Sequence, residues 1–241
     1  MGYVDLHCHL LWGIDDGCRA PEDALEAARA LVDLGYSDAA PTPHARSDFP
    51  SQDGDLCRAR FGELAALLER ERVPLQVHRG AENFLDDAFM ERLGRGEPRG
   101  LGESGRYVLL ELPFASAVPS LPDLVFRVKV KGHWPLIAHP ERCLEFERPG
   151  RAEEVVRLGG GLQLDLGAIL GRYGREPRRV AERLLEAGLY AIAATDLHGP
   201  AEARRWVAEA HQALARRVGE EAAARLLGDT PRRVLRGEDL A

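Results

Sequence analysis

The sequence predicts an α/β fold in which parallel strands form a barrel within one domain. Three observations carry this expectation. Short β-rich apolar runs alternate with helical stretches along the chain, the pattern of βα units that feed a parallel sheet. Seven such runs are present, which suits a barrel better than an open sheet. At 241 residues the chain can bury one large core, and α/β barrels reach this length undivided, so residues 1–241 read as a single domain.

The first strand is Tyr3 to Leu6, followed by a helix from Pro21 to Leu34 with its proline at an early helical position. Ser37 to Ala40 is the second strand, and a helix from Leu56 to Arg72 is ended by Pro74. Leu75 to His78 is the third, with a helix over Asp86 to Leu93. The stretch Gly94 to Arg106, rich in glycine and charge, reads as a mobile loop on the face away from an active site. Strands four to seven are Tyr107 to Leu112, Pro135 to Ala138, Leu162 to Asp165 and Tyr190 to Ala194. The later helices cover Leu121 to Lys131, Arg151 to Leu158, Glu176 to Ala187 and Ala201 to Leu227, the last broken at Gly219.

Composition narrows the function. The net charge of -7 argues against a nucleic-acid partner, because affinity for a phosphate backbone comes from clustered Lys and Arg. There is no basic leader ahead of an apolar core and no apolar run of bilayer length. The expectation is a cytoplasmic enzyme without membrane insertion; a homo-oligomer is left open. Cys8, Cys18, Cys57 and Cys143 are irregularly spaced, which suggests buried thiols rather than a disulfide framework. None has Arg six positions on, the residues there being Ile14, Ala24, Glu63 and Pro149, so the usual cysteine-nucleophile phosphatase loop is missing.

Metal-ligand residues gather at the strand ends instead. His7 and His9 follow the first strand on one face, because alternate side chains of an extended segment point the same way. His44 follows the second strand, Glu82 the third, Glu111 closes the fourth, His139 follows the fifth, and Asp196 and His198 follow the seventh. Asp16, in the loop Ile14-Asp15-Asp16-Gly17, adds an oxygen. In a parallel barrel these ends meet at one rim. Imidazole with carboxylate suits zinc, iron or manganese, and nine donors exceed what one ion takes, so two or three ions are expected. His78, His133 and His211 stand outside the pattern, and Gln163 and Asp165 are either supporting groups or satisfied core residues.

In order, the chain carries Asp5-Leu6-His7-Cys8-His9, Gly13-Ile14-Asp15-Asp16-Gly17, Pro41-Thr42-Pro43-His44, Gly80-Ala81-Glu82, Leu110-Glu111-Leu112-Pro113-Phe114, Ala138-His139-Pro140-Glu141-Arg142 and Thr195-Asp196-Leu197-His198. This resembles the PHP (polymerase and histidinol phosphatase) family, within it the bacterial manganese-dependent tyrosine-protein phosphatases that regulate capsule and exopolysaccharide synthesis. The resemblance spans nearly the whole chain, including Thr230-Pro231. It implies a distorted seven-stranded (β/α) barrel and a trinuclear site: His7, His9, Glu82 and Asp196 on one metal, Glu82, Glu111 and His139 on the second, and Asp16, His44 and His198 on the third. It also implies that Arg142 holds the phosphoryl group, for which its forked donors are suited. A second arginine is expected a few residues after the Asp-x-His pair; Arg204 and Arg205 are both available, with Arg204 preferred. Trp12, where relatives often have proline, and the run Gly167-Ala168-Ile169-Leu170-Gly171 depart from the family pattern without touching a proposed ligand.

The implied chemistry is metal-assisted hydrolysis of a phosphomonoester, manganese being favoured and iron or zinc open. The implied substrate is a phosphotyrosine protein, a tyrosine autokinase of polysaccharide export; Trp12 and Phe114 are candidates to flank the phenol ring, with loop packing the alternative for each. A small phosphomonoester such as histidinol phosphate is the alternative. An amidohydrolase with a bridging lysine is disfavoured, because Lys129 and Lys131, the only lysines, precede the fifth strand on a predicted helix. A metal-binding module without turnover is the remaining reading.

Overall fold

The computed structural model describes residues 2–240. Its strands are β1 (Tyr3–Cys8), β2 (Tyr36–Pro41), β3 (His44–Ala45), β4 (Gln76–Val77), β5 (Glu82–Phe84), β6 (Tyr107–Glu111), β7 (Trp134–Ala138), β8 (Gly161–Asp165) and β9 (Ile192–Ala194). They form two sheets, ordered β1-β2-β4 and β3-β5-β6-β7-β8-β9, and every pairing is parallel.

All seven expected runs fall on strands; nine strands are present among the described residues, in two ladders, with no single ladder closing on itself. The physical cause lies in two interruptions. β2 ends at Pro41 and its direction resumes at β3 after Thr42-Pro43, where prolines cannot donate to a ladder. Beside it, β4 stops and β5 begins only at Glu82; a Cβ on the intervening Gly80 would lie 2.9 Å from Thr42 Cγ2 and 3.0 Å from the Pro41 carbonyl oxygen. The two breaks therefore nest, and the ladder divides there. At the other side the sheets touch: His9 N–H donates to Leu197 O and Asp196 N–H to His7 O, both at 2.8 Å, around a parallel bridge between Cys8 and Leu197.

Helices cover the outside: α1 (Pro21–Asp33), α2 (Gly54–Arg70), α3 (Asp87–Arg95), α4 (Leu121–Val130), α5 (Arg151–Arg157), α6 (Leu166–Ile169) and α7 (Arg175–Glu186). α1 buries Ala24, Ala27, Ala28 and Leu31, one helical stripe, and α2 starts where the Asp53 carboxylate accepts from Asp55 N at 2.8 Å. The expected helix from Ala201 to Leu227 is instead α8 (Pro200–Glu202), a π-turn over Ala203–Val207, α9 (Ala208–Val218), the break at Gly219, α10 (Glu220–Ala224) and a second π-turn over Arg225–Asp229. α11 (Thr230–Arg236) follows. Among the described residues no helix is long and apolar enough to cross a membrane.

The core has two parts. Val4, Leu6, Leu109, Leu136, Ala138, Ile192 and Val234 form a small cluster, and a larger one joins helices to sheet. Val4 and Leu6 belong to the small cluster and Cys8 to the large one, the switch falling at the register irregularity of β1 between Asp5 and Cys8. The expectation of a mobile loop over Gly94 to Arg106 is overturned. Leu101 is fully buried in the small cluster, its N–H donates to Tyr107 O at 2.8 Å, and Gly102 N–H donates to Arg79 O at 2.8 Å. An apolar plug within a glycine-rich turn is what fixes it.

Candidate metal centre

Strand register assembles the centre. β3 pairs with β5 so that His44 is opposite Glu82, and β5 pairs with β6 so that Phe84 is opposite Glu111. His139 directly follows β7 and Asp196 lies two residues past β9, and both have left-handed backbones, φ 33° and 52°. Non-glycine residues rarely adopt this region, and strain held by surrounding structure clusters at functional sites. Here it turns two buried side chains back over the strand ends.

The nine expected ligands come together. Four sets of donor atoms each lie within 4.8 Å of one another: His7, His9 and Asp196; His7, Glu82 and His139; His44, Glu82 and Glu111; and His9, Asp16, His44 and His198. Glu82 is central. Its Oε1 is 2.8 Å from His139 Nε2, and its Oε2 is 2.8 Å from His44 Nδ1 and 3.4 Å from His7 Nε2. Asp196 Oδ1 is 3.1 Å from His7 Nε2 and 3.4 Å from His9 Nε2. Glu111 stands beside His44, 3.7 Å from its Nδ1, whereas the resemblance grouped it with His139. Asp16, about half exposed, reaches His44 at 3.2 Å and His198 at 3.4 Å.

Buried atoms left without hydrogen-bond partners include His7 Nε2, His9 Nε2, His44 Nδ1, Glu82 Oε2, Glu111 Oε2 and His139 Nδ1. Unsatisfied buried polar atoms are costly and rare, and six in one cluster, all of ligand type, fit divalent cations. Electrostatics agrees. Burial alone would lower the His7 and His44 imidazoles, yet Glu82 and Asp196 lift His7 well above its ordinary value, and Asp16 and Glu82 lift His44 to about 11. Burial works against charge on Glu82 and Asp196, and the surrounding imidazoles still hold both well below the carboxylate range. Burial, reinforced by Glu82, pushes Glu111 up to about 8. Carboxylates that draw protons onto imidazoles in this way create a field that attracts cations.

Supporting residues fix the donors. The His7 ring Nδ1 is 3.0 Å from Gln163 Oε1, and the His9 Nδ1 is 2.9 Å from Asp15 Oδ2, so the Nε2 atoms face the centre. Gln163 thus takes the supporting place left open by the sequence. Asp15 is one that sequence reasoning missed, although it stands next to Asp16. Asp5 is buried and accepts from Thr195 N at 3.1 Å and Thr195 Oγ1 at 2.6 Å, tying β1 to the end of β9.

Arg142 lies at the rim. Its Nη1 donates to Asp196 Oδ2 at 2.8 Å and is 3.5 Å from Asp165 Oδ2, and its Cζ sits 4.5 Å from the Phe114 ring centre and 4.3 Å from that of Tyr173. Tyr173 was not foreseen. Phe114 also meets His139 edge-on at 5.4 Å. Arg204 and Arg205 are exposed on the π-turn, and the Arg204 guanidinium pairs with Glu26 on α1. Trp12 follows the loop-packing alternative: it is buried, with Arg60 over its ring at 4.8 Å, because the loop after β1 folds inward onto α2. His78 pairs with Asp38, His133 with the Gly105 carbonyl and His211 with Tyr36, all away from the centre. Lys129 packs on Trp134 and Lys131 reaches the Gly94 carbonyl, so neither bridges the ligands. All four cysteines are free thiols.

The family model for capsular polysaccharide synthesis, CpsB/CapC, matches residues 3–236. The chain belongs to the CpsB/CapC family. This CpsB/CapC chain is 30% identical to the tyrosine-protein phosphatase YwqE of Bacillus subtilis (strain 168) over 219 residues, 90% of this chain and 86% of that protein. It is 22% identical to the tyrosine-protein phosphatase CpsB of Streptococcus pneumoniae over 238 residues, 96% of this chain and 98% of that one. Among solved structures it superposes with a TM-score of 0.88 and 29% identity on a chain from the crystal structures of YwqE from Bacillus subtilis and CpsB from Streptococcus pneumoniae, described as metal-dependent tyrosine phosphatases, covering 98% of this chain and 95% of that one. The phosphotriesterase homology protein from Escherichia coli shares the fold at a TM-score of 0.66 and 11% identity, over 97% of this chain and 98% of that one.

Proposed function

We propose that this protein is a metal-dependent tyrosine-protein phosphatase, using two to three divalent ions, manganese above iron or zinc, held by His7, His9, Asp16, His44, Glu82, Glu111, His139, Asp196 and His198. The observation that carries the reading is the buried cluster of partnerless ligand atoms with Arg142 at its edge. The nesting of the β2–β3 and β4–β5 breaks, together with the contact of β1 with β9, supports a distorted seven-stranded barrel in which each broken pair counts once. Bound divalent ions would supply Lewis acidity and activate water near neutral pH.

The chain's own residues do the rest. Asp196 and Asp165 hold one edge of the Arg142 guanidinium, and Phe114 and Tyr173 restrain its plane, so its remaining donors are free for phosphoryl oxygens. Phe114, 39% exposed, offers an apolar surface beside that position for a phenol ring. A tyrosine leaving group has a pKa near ~10 and needs less protonation than an alkoxide. Arg204 takes the second phosphate-binding role that the resemblance assigns once it leaves Glu26; an exposed pair of that kind is worth about 0–1 kcal/mol and is no barrier. The partner is a phosphorylated tyrosine autokinase of polysaccharide export, met in the cytoplasm.

Protein loaded with manganese, its metal content measured, is compared on p-nitrophenyl phosphate, a phosphotyrosine peptide and histidinol phosphate. The peptide is the preferred physiological-type substrate on this reading. A clear preference for histidinol phosphate overturns the tyrosine assignment, and metal binding without any turnover overturns the enzyme reading.

A further inference from the structure

A second guanidinium stands beside the ligand cluster, next to Glu111 where Arg142 is next to Asp196. Arg46 lies two residues beyond His44. Its Nε and Nη2 donate to the two carboxylate oxygens of Asp48, each at 2.7 Å, and its Cζ lies 4.8 Å from the centre of the Phe84 ring. The other end, Nη1, points at the cluster and is 3.9 Å from Glu111 Oε2, beyond hydrogen-bond reach. Among the described residues Nη1 makes no hydrogen bond.

This is an unusual way to spend an arginine. Were Arg46 only a counter-ion for Glu111, its fork would close on that buried carboxylate at 2.7–2.9 Å, the distance such pairs favour. Instead the fork is spent on Asp48, which is 51% exposed, and the aromatic ring below sets the plane. The pair acts as a strut that leaves one charged N–H end aimed at the centre. Glu82 lies between the two flanks: Asp196 and Arg142 are on the His7 side, Glu111 and Arg46 on the His44 side.

We propose that Arg46 is a phosphoryl-binding residue, its Nη1 donating to one terminal oxygen of the substrate's phosphoryl group from the Glu111 flank while Arg142 donates to another from the Asp196 flank. The proposal rests on the phosphatase reading above. A phosphoryl group has three terminal oxygens, and two guanidinium donors fixed at the Glu111 and Asp196 flanks set its orientation as well as its charge balance.

The probe is inorganic phosphate. Metal-loaded wild type, Arg46→Ala, Arg46→Lys and Asp48→Asn are titrated by calorimetry, with kcat and KM for p-nitrophenyl phosphate and metal content measured on each. Arg46→Ala is expected to bind phosphate at least tenfold more weakly and to lose at least tenfold in kcat/KM, with metal content unchanged. Arg46→Lys should fall between, since it keeps the charge and loses the fork. Asp48→Asn should weaken phosphate binding several-fold by releasing the strut. Wild-type phosphate affinity in Arg46→Ala overturns the proposal, as does a loss that only tracks lost metal. Because the titration measures phosphate itself, a wild type that binds phosphate yet prefers a small phosphomonoester overturns the tyrosine reading alone, and Arg46 is still judged by its own affinity.

Discussion

Gln163 and Asp15 decide which nitrogen His7 and His9 present, and neither role was visible as a motif. Gln163 reaches His7 from β8, 156 residues away, a distance that only the fold closes. The proposed ligands themselves were legible because imidazole and carboxylate at successive strand ends have few other uses; Arg142 was legible through its place in His-Pro-Glu-Arg. Asp15 also receives the His44 N–H at 3.3 Å, so it supports two ligands at once. Asp15→Asn is expected to lower metal affinity about 10- to 100-fold, read as metal retained during dialysis against a graded chelator. His211 tests a different residue-level effect. Burial holds its imidazole down to about 4 beside the Tyr36 hydroxyl. The unfolded chain takes up this proton as pH falls below about 6.5 and the folded chain does not until about 4, so stability is full above 6.5 and is lost on acidification. His211→Gln should flatten that loss by roughly 2 kcal/mol between pH 7 and pH 4.5, measured by urea unfolding at both.

At the scale of elements, the loop after β1 shows why Asp-Asp-Gly ends in glycine. A Cβ on Gly17 would lie 2.3 Å from the His9 carbonyl oxygen and 2.4 Å from His9 Cβ, so the turn and the ligand occupy the same space. Gly17→Ala should lower stability by about 1–3 kcal/mol and reduce bound metal together, seen as a fall in Tm and in metal content. Long elements were readable from periodicity: α1, α2, α4 and α7 lie within two residues of their expected bounds. β3 was not, because a two-residue strand has no periodicity to read; its existence depends on pairing His44 against Glu82. The Leu101 plug was hidden in the same way, one apolar residue among glycines and charges whose burial depends on Val4, Leu109 and Val234 arriving from elsewhere. Arg46 escaped notice because Asp48 and Phe84, which aim it, carry no motif.

For the whole molecule, the cation site and the fold are one system. Nine charged or polar donors crowd the strand ends, and ions that bind only the folded chain stabilise it by mass action, about 4 kcal/mol per site at a thousand times its Kd. For a chain of this size that is a Tm shift of roughly 8–16 °C. Removing metal with EDTA should lower Tm by that order, and added manganese should restore it; an unchanged Tm argues that the cluster does not hold ions in the folded protein. Fold class and the parallel arrangement followed from alternation of strands and helices. The division into two sheets did not, because it depends on how Gly80 fits against Thr42 and Pro41. One pairing reaches further than the site. Asp5 accepts the Thr195 N–H across 190 residues, and the adjoining His7 and Asp196 are both proposed ligands. Synthesis proceeds from the N-terminus, so His7 and His9 are made before Asp196, and the set the three share closes only once that residue has joined the fold. A chain truncated before residue 196 keeps His7 and His9 but lacks the third donor of their set, so it is expected to retain less metal than the full chain when both are dialysed.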